Sequence, residues 1–262
     1  MFALGRLSFD ENEFEDASLW YDRVRTVIGD EDHRLLNEAN FLYGEVMINI
    51  GLQRLDDNDP EASNKKFRKA KELLAEASKD KSTDFFDRAL FLQASCSKYL
   101  DEHVQAAELF ESVANLENSE QKEKALVLAG TSWLLAGKET KGNQLLQRAM
   151  DSESSIAIEA VHEKAVWLIS AGRNQEAFDL TEKWIPQLKD HPLEVDVLLD
   201  RANASINVPQ LADRSGALYA QIASAFPNHP KAPRSLFWSA VSDYSLKDYD
   251  SCLLYTSDAA DE

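Results

Sequence analysis

A three-residue pattern recurs along the chain at nearly even intervals: a small residue, a bulky residue four positions later, and a small or apolar residue three after that. It appears as Ala17/Tyr21/Val24, Ser63/Phe67/Ala70, Ala106/Phe110/Val113, Gly142/Leu146/Ala149, Ala177/Thr181/Trp184 and Ser215/Tyr219/Ile222. Offsets of four and seven place all three side chains on one face of a helix. The small residue lets a neighbouring helix come close, and the large one fills the space beside it. The anchors stand 46, 43, 36, 35 and 38 residues apart. A local unit repeated at that period calls for stacked helix hairpins, because each hairpin alone exposes an apolar face that its neighbour must cover.

The helix before the anchor carries a companion pattern in the central units. Gly130, Trp133, Ala136 and Gly137 precede Gly142, and Ala165, Leu168, Ala171 and Gly172 precede Ala177. A small residue sits twelve positions before the anchor and a glycine five before it, the latter suited to a left-handed helix stop. A last unit opens with Leu236, Ala240, Leu246 and Tyr249, and its anchor falls at position 252. These residues resemble the tetratricopeptide repeat (TPR) family, most clearly over 126–149 and 161–184. The first two units fit the pattern poorly, and the sixth has an irregular turn around Val208-Pro209. The resemblance implies an all-α fold, a right-handed TPR-like superhelical solenoid of antiparallel helix hairpins. It would span residues 1–251 as about six units and a truncated one. A helical bundle without repeats is the competing architecture.

The expected helices are 1–9, 13–28, 33–56, 60–78, 83–100, 103–116, 119–136, 139–150, 155–171, 174–188, 192–206, 209–226 and 230–246. Pro60, Pro186, Pro192, Pro209, Pro227, Pro230 and Pro233 all fall at their ends or turns, where a missing N–H is tolerated. The run from Tyr219 to Pro233, with its Pro227-Asn228-His229-Pro230 centre, resembles the junctions of bacterial envelope TPR proteins. That resemblance favours the periplasm or cell envelope over the cytoplasm, although the lipobox cysteine of the lipoprotein group is absent. Residues 252–262, from Cys252 to Glu262, break the preceding pattern and resemble translated read-through of a sequencing adapter. On that reading they are a non-native tail, and the chain is a piece of a longer bacterial protein.

Charge and motifs narrow the function. With 46 Asp and Glu against 28 Lys and Arg, the formal net charge of −18 disfavours phosphate backbones and anionic lipid. No apolar run approaches the roughly 20 residues that cross a bilayer. Cys96 and Cys252 form no metal-type spacing, and Cys96 reads as a small core residue. His33, His103, His162, His191 and His229 are scattered; of these His162 lies where it could line a groove. Gly137-Lys138-Glu139-Thr140 lacks the flanking residues of a phosphate loop, and Asp56-Asp57-Asn58-Asp59 lacks those of a calcium loop. No catalytic, metal or cofactor site is therefore expected.

In TPR proteins the first helices line a concave face that receives a peptide or partner helix. Transferred by position within each unit, the resemblance assigns peptide contacts to Phe91, Ser95, Lys98, Tyr99, Thr131, Leu135, His162, Val166, Arg234, Phe237 and Tyr244. Phe91/Ser95, Val127/Thr131 and His162/Val166 do not supply the Lys/Asn clamp that holds a C-terminal carboxylate, so a mixed apolar and aromatic groove is expected. The same helical spacing also describes core residues. The expectation is a non-catalytic scaffold for a protein or peptide partner. The alternatives are a recognition module of a multidomain enzyme or a purely structural spacer; the oligomeric state stays open.

Overall fold

The computed structural model describes residues 1–29 and 32–247. Its helices are α1 (Phe2–Asp10), α2 (Phe14–Ile28), α3 (His33–Asp56), α4 (Pro60–Ala77), α5 (Phe86–Tyr99), α6 (His103–Ala114), α7 (Lys122–Leu135), α8 (Glu139–Met150), α9 (Ile156–Ser170), α10 (Asn174–Trp184), α11 (Glu194–Ile206), α12 (Ser215–Ala225) and α13 (Ala232–Ser245). Short 3-10 turns cover Ile185–Gln187 and Ala212–Arg214. No strand occurs among the described residues, so the fold is all-α. The expected tail, 252–262, lies outside the described residues. Two compact units divide the chain, residues 1–145 and 146–262.

Helix limits follow the sequence closely, with two departures. The helix expected over 174–188 gives way to a 3-10 turn carrying Pro186. The helix expected from 209 begins only at Ser215. Pro209 disfavours the helical conformation at Val208 before it, and the chain turns through 208–214 before regular hydrogen bonding resumes.

The anchor residues are the core. Of the eighteen residues in the six triplets, all are buried except Trp184, which is half-buried. In the first unit, α1 to α7 pack each against the next in sequence, and α3 also touches α5. Gly51 of α3 shows why the small residue is required. A Cβ there would lie 2.9 Å from the Phe67 ring, and the Ser63 hydroxyl donates to the Gly51 carbonyl at 2.7 Å. Phe67 is fully buried by this crossing, a side-chain burial worth about 1.5–3 kcal/mol.

The backbone repeats with the side chains. Asn12, Asn58, Asp101, Gly137 and Gly172, each five positions before an anchor, all adopt left-handed φ between 58° and 74°. In each turn the next N–H reaches back across the helix end: Glu13 to Ser8, Asp59 to Arg54, Lys138 to Trp133 and Arg173 to Leu168 at 2.8 Å, and Glu102 to Ser97 at 2.9 Å. This is the Schellman stop, which satisfies a carbonyl that the helix leaves unpaired. Gly5, Gly51 and Ala94, twelve positions before their anchors, are buried like Gly130 and Ala165. The first two units thus obey the pattern that their sequences obscure, with asparagine standing in for the turn glycine. Lys247, at φ 62°, stands five before position 252.

In the second unit α9 packs on α10 and α11, α10 on α11, α11 on α12, and α12 on α13. The fully buried Tyr219 donates its hydroxyl to Asn203 Oδ1 at 2.6 Å. Ser239 of α13 donates to the Gly216 carbonyl at 2.9 Å, the same kind of close crossing as Ser63 on Gly51. Lys231 pairs with Asp196, tying the α12–α13 loop to α11.

Candidate binding face on the first helices

The first unit holds a pocket of about 300 Å³ floored by aromatic rings. Arg6, Phe9 and Asp10 enter from α1, Phe41, Leu42 and Glu45 from α3, Arg88 from α5, and Tyr21 from α2 behind them. Three of the four contributing helices are therefore first helices of hairpins. Arg88 organises the wall. Its guanidinium pairs with Glu45 and lies 5.4 Å from the Phe41 ring centre, while Phe41 stacks on Phe85 at 4.8 Å. Burial pushes the Glu45 carboxyl above its ordinary value, against the pull of Arg88. Burial likewise pushes the Tyr21 hydroxyl up to about 12, opposed by the charge of Arg6. The signal that could have revealed this pocket was Gly5 and Asn12 standing at the repeat positions before Ala17.

The expected contact residues divide into two groups. Phe91 is only 9% exposed and meets Phe110 edge to face at 5.3 Å, and Thr131, 6% exposed, donates to the Val127 carbonyl. These two belong to the interior, because hairpin stacking uses the same helical stripe that a groove would. Ser95, half-buried, donates to the Phe91 carbonyl, and Lys98 is half-buried beside it. Tyr99 is 45% exposed yet stacks flat on Phe67, 4.5 Å away and tilted by 5°. Leu135 ends α7 with nearly half its surface open.

In the second unit Val166, Phe237 and Tyr244 are exposed, as is Arg234; Phe237 meets Trp238 edge to face at 5.5 Å. His162 lines a pocket of about 390 Å³ with Ser155, Glu159 and Glu163 of the α9 end and His191, Pro192 and Leu193 of the loop before α11. Its Nδ1 lies 2.6 Å from Asp200 Oδ2 on α11, and the Asp200 side chain is only 8% exposed. The hydrogen bond to the Asp200 carboxylate holds the imidazole above its ordinary value, against its burial, with Glu163 and Asp196 adding to the effect. Burial raises Asp200 in turn, and the imidazole opposes it. A protonated Nδ1 donating to the Asp200 carboxylate satisfies both atoms. His191 Nδ1 accepts from the Leu193 N–H at 3.1 Å. No residue spacing in the sequence announced the partnership of His162 and Asp200, which are 38 positions apart.

A larger cavity of about 560 Å³ lies between the loops at 81–88 and 116–121, lined mostly by polar groups. No group of three or more His, Cys, Asp and Glu suited to a metal occurs among the described residues. Cys96 is fully buried, and that burial pushes its thiol up to about 12. No helix among the described residues is long and apolar enough to cross a membrane.

No protein-family model matches the chain, and no curated protein matches it. Its fold is similar to that of the TPR-repeat protein in the crystal structure of yeast Tom70. The TM-score is 0.52 at 13% sequence identity, over 95% of this chain and 55% of that one. The chain thus spans about half the length of that structure. An all-α solenoid of helix hairpins with TPR-like packing is the architecture that the helix order and this likeness define.

Proposed function

We propose that the chain is a non-catalytic protein-interaction module that receives a peptide or partner helix along the first helices of its hairpins. The observation that carries this reading is the exposure of large apolar side chains there: Tyr99 and Leu135 in the first unit, and Val166, Phe237 and Tyr244 in the second. Exposed apolar and aromatic side chains on one set of helices offer anchor points for a partner. The aromatic pocket under Arg6 and Arg88 supports the same use, since it offers an apolar floor with a charged rim. The junction from Phe226 to Pro230 supports a bacterial, envelope-type setting within this proposal.

The test is partner recovery by the wild-type chain and by a Tyr99→Ala, Leu135→Asp double variant, after chemical cross-linking in native lysate. Both positions are exposed, so helicity should be retained while recovery of specific partners falls several-fold. Unchanged recovery with unchanged circular dichroism would refute the reading for the first unit.

A further inference from the structure

We propose that the pocket at the start of α9 is a receptor for one basic side chain, an arginine in preference to a lysine, presented by an extended partner polypeptide. The proposal rests on the reading that the first helices bind polypeptide, and adds what chemistry one subsite selects. Glu159 and Glu163 stand one helical turn apart and both line the cavity. Neither has a lysine or arginine within ion-pair reach among the described residues. In the first unit, by contrast, Glu45 is already neutralised by Arg88. Apart from the pull of Glu163 on the His162 imidazole, neither carboxylate is ion-paired among the described residues.

The rest of the lining sets the ligand's shape. Pro192 and Leu193 give the cavity an apolar wall, suited to the methylene stem of a long side chain whose charged head reaches the carboxylates. His162 adds little net positive charge, because Asp200 sits 2.6 Å from its Nδ1 and balances it. An acidic ligand would meet two carboxylates. An apolar one would bury them without a partner, which is costly. A bare metal ion is a poor occupant, since no group of three or more His, Cys, Asp and Glu is placed to hold one among the described residues. A volume of about 390 Å³ accommodates one long side chain. A guanidinium can donate to two carboxylates at once, which an ammonium does less well.

The experiment is selection of displayed random peptides on the full chain, followed by affinity measurement of the best peptide. We expect arginine to be enriched over lysine at one fixed position. That preference should vanish on a Glu159→Gln, Glu163→Gln variant, and affinity should fall about tenfold or more, the scale of losing a charge-assisted hydrogen bond. Replacing the selected arginine by citrulline should cost as much on the wild-type chain, and this arm leaves the protein untouched. Enrichment without an arginine position, lysine enriched as strongly as arginine, an arginine preference that survives the double substitution, or tight binding of the citrulline peptide would overturn the proposal while leaving peptide binding intact. Failure to enrich any peptide would refute both readings.

Discussion

Alanine at Gly142 would set helix propensity against helix packing. In an exposed helix, glycine to alanine gains about 1 kcal/mol. Here α8 crosses α7, and an added Cβ would stand 2.7 Å from the Gly130 carbonyl oxygen and 2.7 Å from Leu134 Cγ and Cδ2, well inside the 3.4 Å where ordinary contact begins. Leu134 is buried and has little room to yield, and the oxygen belongs to a helix backbone that cannot rotate away. Relief requires α7 and α8 to separate, which loosens the packing of Trp133 and Leu145. Overpacking of a core costs about 1–3 kcal/mol, and a main-chain obstacle belongs at the upper end, so the net loss should be about 1–2 kcal/mol. Urea unfolding followed by far-ultraviolet circular dichroism measures it. The control is Gln144→Gly, an exposed position in the same helix, which should also lose about 1 kcal/mol, through propensity alone. Glycine would then be favoured at 142 and disfavoured two residues on. If Gly142→Ala were as stable as the parent chain or more so, the close-crossing argument would be wrong.

Other outcomes follow from single features. Gly137→Val and Gly172→Val should each cost about 1–2 kcal/mol or more, because both glycines hold φ above 70°, whereas asparagine should be tolerated there as it is at Asn12 and Asn58. For His162, the folded value lies above the ordinary 6.5, so the pair with Asp200 stabilises fully below that pH and fades as pH rises through the folded value. Nuclear magnetic resonance should find the His162 titration above 6.5, and Asp200→Asn should bring it down; an unchanged midpoint would show that the pair is not formed. Cys96 should resist alkylation at pH 8 in the folded chain and react once it is unfolded, as peptide mapping by mass spectrometry would show. Phe67→Ala should cost about 3–5 kcal/mol, because the ring is fully buried and also supports Tyr99.

The helices were legible because they depend on local rules. Asp59 caps α4 through the Ala62 N–H, Pro60 follows in the first turn, and the left-handed stops close the hairpins within a few residues. The irregular entry to α12 was visible as Val208-Pro209, but its length was not, since a 3-10 turn and an α-turn differ little in local preference. The candidate site was legible only in part. Tyr99, Leu135, Val166, Phe237 and Tyr244 are exposed where repeat position placed them, while Phe91 and Thr131 at equivalent positions are interior.

By itself the sequence determined an all-helical chain and its period, because the small–bulky–small triplets and turn residues act through neighbours a few positions away. Tertiary structure alone decided which members of an apolar stripe are covered. It also brought Arg88 to Glu45 and His162 to Asp200 across 43 and 38 residues. Burial and charge pairing depend on distances between helices, and no single helix encodes them.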